Sequence, residues 1–153
     1  MTLTRGLLLR HFQGRKAGFY PAMLDVAQDH LLAHLHQQGL FDLGLIFKGG
    51  TSLRKMRSGA GGRFSTNLDF CSVDSSVADL VLDSIDNTAV EPFTFALADR
   101  DNDAGRADLL VTAPFGAQPP NRADADRHTR QSGDLAAATY RPSEVNLSMG
   151  PAK

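Results

Sequence analysis

Leu24, Ala27, Leu31 and Leu35 recur at helical spacing and predict a helix from about Pro21 to Gln38. Proline is tolerated in a first helical turn, and Gly39 is a natural stop. Upstream, Leu7-Leu8-Leu9 and Phe12 form one face of a short helix over 3–12, interrupted by Gly14 and Gly18. The period then shortens. Leu43–Phe47 reads as a buried strand ending in the double glycine Gly49-Gly50, and residues 51–57 read as a helix. Gly59-Ala60-Gly61-Gly62 is a loop, and 67–73 a second strand, with Leu68 and Phe70 facing away from Asn67 and Asp69. Ser75 or Ser76 caps a helix to about Asn87, with Val77, Leu80, Val81 and Ile85 inward. Phe93–Leu97 and Leu109–Ala113 make a hairpin across a polar turn from Asp99 to Arg106. Beyond Gly116 no period persists, and 117–153 reads as a disordered or loosely docked tail.

At 153 residues the chain fits one modest domain, and 42% hydrophobic with 22% charged residues is ordinary for a globular protein. The net charge of −1 hides an asymmetry: residues 1–66 carry nine Lys/Arg and three Asp/Glu, and residues 67–153 carry seven and fourteen. Lys48, Arg54, Lys55, Arg57 and Arg63 precede Asp69 with no acid between them, which suits phosphates. Taken alone, Arg54, Lys55 and Arg57 equally fit a solvated helix face. The lone Cys71 excludes an intrachain disulfide framework and fits a small core residue in a reducing compartment. No apolar run spans a membrane, so a cytoplasmic protein is expected; the Arg-rich, acid-free Met1–Gly18 segment resembles a transit peptide only superficially. His30 and His34 sit four apart, but without a zinc-protease glutamate they fit a surface helix face.

A strand ending in Gly49-Gly50 and turning into a helix presents bare amides to a phosphate, with Thr51 or Ser52 adding a hydroxyl. Asp69 is the hard oxygen ligand that magnesium prefers. Lys48, Arg54, Lys55 and Arg63 are candidates for the phosphates or for a polyanionic acceptor. Each half alone is common; their order and spacing together are specific.

The joined stretches Phe47-Lys48-Gly49-Gly50-Thr51-Ser52-Leu53 and Arg63-Phe64-Ser65-Thr66-Asn67-Leu68-Asp69-Phe70 resemble the signature of the AbiEii/AbiGii-type toxins. These are nucleotidyltransferases of the DNA polymerase β superfamily and include the mycobacterial MenT group. The likeness covers roughly residues 20–116. It implies a mixed sheet flanked by helices, an NTP substrate, Mg2+ (or Mn2+), nucleotide addition to the 3′ acceptor end of tRNA, and a cognate antitoxin. Gly49, Gly50 and Ser52 would be the phosphate-binding motif, and Asp69 the second carboxylate of the metal pair. The family pattern reads Asp-Leu-Asp where this chain has Asn67-Leu68-Asp69, so position 67 offers an oxygen without the charge. Asp108, Asp124 and Asp126 are the acids available as a third carboxylate. Relatives carry a further C-terminal helical region, for which 117–153 offers no counterpart.

The expected architecture is therefore α/β, a minimal polymerase-β-type nucleotidyltransferase domain over 1–116 with an irregular tail over 117–153. The leading function is a toxin transferring NMP from an NTP to a tRNA 3′ end. Asn67 and the tail favour an alternative, a catalytically impaired or truncated member that binds nucleotide or partner. A third reading, modification of a small molecule, needs less positive surface than Lys48 to Arg63 provides.

Overall fold

A computed structural model describes residues 8, 11, 19–58, 65–101, 105–113 and 143–151 of the chain. Helix α1 (Phe19–Gln37) buries Leu24, Ala27, Leu31 and Leu35, and Gly39 ends it at φ +73, where glycine carries no Cβ penalty. The first half of α1 is enclosed on nearly every side, because Ala22 through Gln28 are all buried, Asp25 and Gln28 among them. The helix expected over 3–12 lies outside the described residues except for Leu8, which is fully buried, and His11.

Strand β1 (Leu45–Lys48) starts later than the apolar run, since Gly44 takes φ +93 and leaves Leu43 exposed in the preceding turn. Helix α2 (Gly49–Leu53) follows without a linker and continues as a π-helical turn over Arg54–Ser58. Strand β2 (Asn67–Ser72) alternates as expected: Leu68 and Phe70 are buried, Asn67 is exposed and Asp69 half-buried. Helix α3 (Ser75–Ile85) is capped by Asp74, whose side chain accepts from the Ser76 amide at 2.9 Å, rather than by either serine. It buries Val77, Val81, Leu82 and Ile85, whereas Leu80 faces solvent. A short strand β3 (Thr88–Val90) precedes the hairpin of β4 (Phe93–Asp101) and β5 (Arg106–Thr112).

Residues 143–151 depart from the expected tail. They form β6 (Ser143–Pro151), which pairs parallel with β2 and antiparallel with β5 in a six-stranded sheet of order β1-β2-β6-β5-β4-β3. The physical cause is a period-two pattern, Val145, Leu147 and Met149, that meets two waiting sheet edges. Leu147, 1% exposed, fits between Leu68 and Ala107 in register, so the strand belongs to the same unit as the glycine turn. Residues 114–142 lie outside the described set.

One sheet face is the core. Leu68, Phe70, Leu147, Ala107, Leu109, Val111, Phe93 and Phe95 lie on it, with α1 and α3 against it. His30 packs edge-on to Phe93 with ring centroids 5.4 Å apart, and burial lowers its pKa. His34 Nε2 lies 3.0 Å from the Ser84 carbonyl oxygen. These two histidines therefore join α1 to its neighbours instead of forming a surface face. The opposite sheet face carries Asn67, Asp69 and Asp108.

Candidate active site

Register fixes which backbone positions share the outer face. One row across the sheet runs Asn67, Asn146, Asp108 and Asp99; the next runs Lys48, Asp69, Ser148, Arg106 and Asp101. Asn67, Asp69, Asp99, Asp101, Arg106 and Asp108 line an open cleft of about 470 Å³, closed at its floor by Ala107 and Leu147. That volume suits a nucleotide-sized ligand.

Asp99 and Asp101 reach this face through a β-bulge. Leu97 pairs with Leu109 on the core side, yet Asp99 pairs with Asp108, so two residues of β4 advance against one of β5. Without that extra residue, period two would place both aspartates beside Phe93, Phe95 and Leu97 in the core. Instead the bulge turns them outward.

The glycine turn sits against the same face. Gly49 adopts φ +81, and a Cβ built on it would stand 2.4 Å from Asp69 Oδ2 and 3.2 Å from Asp69 Cβ. The first glycine is thus required twice, by its backbone conformation and by the carboxylate beside it. The Thr51 hydroxyl donates to the Asn67 carbonyl at 2.8 Å, and the Ser52 hydroxyl to the Phe47 carbonyl at 3.2 Å. These bonds lock α2 onto β1 and β2. Gly49→Ala is therefore expected to cost about 1–3 kcal/mol of stability through left-handed strain. It should also push the Asp69 carboxylate aside. Urea denaturation reads the first effect and Mg2+-dependent NTP binding the second.

The structure redistributes the predicted phosphate ligands. Lys48, Gly49 and Gly50 are exposed at the turn, where the α2 amides carry no side-chain cap, and Ser52 lies half-buried behind them. Thr51 is buried, its hydroxyl committed to holding β2, and so it is withdrawn from the phosphate set. Arg54 and Lys55 are withdrawn as well. The Arg54 guanidinium pairs with the Asp25 carboxylate, and Lys55 Nζ donates to Asp25 Oδ1 at 2.8 Å, to the Asp25 carbonyl at 3.0 Å and to Asp29. Both side chains are about 5% exposed because the π-helical turn presses them against the enclosed half of α1. Arg63, Asp124 and Asp126 lie outside the described residues, while Asp108 is in the cleft.

His11 Nδ1 stands 2.8 Å from Asp25 Oδ2, so His11, Asp25 and Asp29 bring ligand atoms within 4.8 Å of one another. With Arg54 and Lys55 already neutralising these carboxylates, the cluster is an ion-pair network and not a metal centre. Burial by itself raises the Asp25 pKa, but the hydrogen bonds from Arg54, Lys55 and His11 outweigh it and hold the carboxyl at about 2.

Sequence reasoning missed Asp99, Asp101 and Arg106 by assigning them to a turn, and missed the backbone placement of Asn146 beside Asn67. The alternation around Leu147 was the one available signal for the latter.

The cleft offers oxygen donors only, with four aspartates, an amide and one guanidinium. A triphosphate enters so acidic a site only with cations beside it, and hard oxygen donors suit Mg2+ or Mn2+. Asp69 and Asn67 on β2 are the side chains beside the glycine turn that could hold such an ion; Asp108 stands two strands away on β5.

A mixed sheet covered on one face by helices, with a glycine turn abutting a strand carboxylate on the other, defines a nucleotidyltransferase-type domain. The family model described as nucleotidyl transferase AbiEii toxin, type IV toxin–antitoxin system, matches residues 30–131, more than half of the sequence. The chain belongs to this family. Among solved structures it is similar to MenT4, a nucleotidyltransferase toxin from Mycobacterium tuberculosis H37Rv, at 35% identity and a TM-score of 0.69. That match covers 97% of this chain and 44% of the other, so this chain spans less than half the length of that structure. No curated protein matches it. Among the described residues, no helix is long and apolar enough to cross a membrane.

Proposed function

We propose that the chain binds an NTP with its phosphates at the Lys48–Gly50 turn and its α-phosphate beside Asp69, and transfers the NMP to the 3′ end of tRNA. In this reading it is a toxin restrained by a cognate antitoxin. The observation that carries the proposal is that the Asp69 carboxylate occupies the space a Cβ on Gly49 would take, which sets the glycine turn against a carboxylate lining an acidic cleft. Family membership supports the same reaction class.

The transfer forms a bond from the RNA 3′ oxygen to the α-phosphorus and breaks the bond from that phosphorus to the bridging oxygen. Pyrophosphate leaves, and the hydroxyl proton passes to solvent. Such chemistry asks the protein for position and charge rather than covalent participation. Lys48 and the amides after Gly49 hold the leaving phosphates. Ser52 holds the turn to β1, and Thr51 holds it to β2, which sets the distance from phosphate to Asp69. A divalent ion on Asp69 and Asn67 would neutralise charge developing on the phosphoryl oxygens.

A second reading, nucleotide binding without transfer, is favoured by the amide at position 67. Incubation with Mg2+, labelled NTPs and total tRNA separates the two. Label should enter tRNA, and Asn67→Asp should raise the rate by tightening the metal. NTP binding with no label from either protein would leave only the binding reading.

A further inference from the structure

We propose that Arg106 grips a backbone phosphate of the RNA acceptor end, on the side of Asp69 opposite to the glycine turn. The inference rests on the transfer reaction above and assigns a residue to its second substrate.

The argument is geometric. Lys48 is the register partner of Asp69 on β1, and the Asp69 carboxylate fills the space a Cβ on Gly49 would take, so the leaving phosphates lie on the β1 side. In-line displacement places the attacking and leaving oxygens on opposite sides of the α-phosphorus. The acceptor must then approach over β6 and β5. Arg106 stands there, in the same row as Asp69 and two strands away through Ser148, a separation of about 10 Å at ordinary strand spacing. A nucleotide or two of acceptor chain spans that backbone separation.

Charge makes the position selective. Among the described residues lining the cleft, Arg106 is the one cation, set among Asp69, Asp99, Asp101 and Asp108. A strand of RNA laid across this floor is repelled by the aspartates everywhere except at the guanidinium, whose planar donors match a phosphate. The location is also held firmly. Gly105, at φ +60, brings the start of β5 so close to β6 that a Cβ would lie 2.3 Å from the Met149 carbonyl oxygen, and the Met149 amide donates to the Gly105 carbonyl at 2.6 Å. Arg106 therefore projects from a backbone clamped to the strand beside Asp69.

The test uses the full chain, a short fluorescent single-stranded RNA with a free 3′ hydroxyl, and a labelled NTP with Mg2+. Arg106→Ala should weaken RNA binding about tenfold, the order expected for one charge-assisted contact. It should lower the slope of log affinity against log salt by about 0.7, one phosphate on a single strand. NTP affinity should stay within about twofold, and Arg106→Lys should recover part of the RNA affinity but not all of it. In the transfer assay the change should appear in KM for RNA. Equal loss of NTP and RNA affinity would reassign Arg106 to the nucleotide and overturn the proposal, as would unchanged RNA affinity. If label transfer proceeds while Arg106→Ala leaves KM for RNA untouched, the transferase reading stands and this one falls. If the native chain neither binds nor labels RNA, both fall.

Discussion

Asp25→Ala should destabilise the fold by about 3–5 kcal/mol, because it leaves Arg54 as a buried cation without its counter-charge and Lys55 with Asp29 alone. Asp25 is 3% exposed and receives Arg54, Lys55 and His11 together, so no solvent is available to take over. The native fold places the Asp25 carboxyl at about 2, below its ordinary 3.8. A carboxyl depressed in the folded state contributes stability above its unfolded pKa and loses it as pH falls through the folded one. The native protein should accordingly lose about 2 kcal/mol between pH 4 and pH 2 from this residue, at 1.36 kcal/mol per unit. The variant should lack that segment of the pH dependence. Urea denaturation of both proteins from pH 7 to pH 2 measures the two effects, and parallel curves for native and variant would refute the assignment.

Asp69→Asn should abolish function while sparing the fold. The side chain is half-buried at the cleft and lies outside the apolar core cluster, so the melting temperature should hardly move. With Asn67 beside it, the substitution leaves two amides where the family frame has two carboxylates, and β2 then contributes no charge to a divalent ion. Metal-assisted charge stabilisation is worth several kcal/mol, so label transfer should fall about 10²–10³-fold. Mg2+-dependent NTP binding should weaken in parallel. An Asp69→Asn protein that binds Mg2+ and NTP normally would remove the metal role from β2 altogether.

These two aspartates show how legibility differed along the chain. Asp69 is readable because a strand has period two: Leu68 and Phe70 go inward, which sends Asp69 outward beside a glycine turn whose own grammar is local. Asp25 is not readable, since its helical position predicts nothing about the cations brought to it from about thirty residues away. The same long-range contact removed Arg54 and Lys55 from the phosphate site, although their place in a basic run pointed toward it. Thr51 and Ser52 look interchangeable as sequence, yet one is buried under the Asn67 carbonyl and the other is half-open at the turn.

Local order was thus decided by the sequence itself: the helix at Leu24–Leu35, the glycine turn, the outward Asp69, and the hairpin's existence all follow from residue periods and backbone freedom. Tertiary structure alone decided the rest. A strand from the far end of the chain enters between β2 and β5, and a single extra residue in β4 reverses the facing of Asp99 and Asp101. Both depend on pairing between segments distant in sequence, and strand register, unlike helical period, is fixed only by the partner.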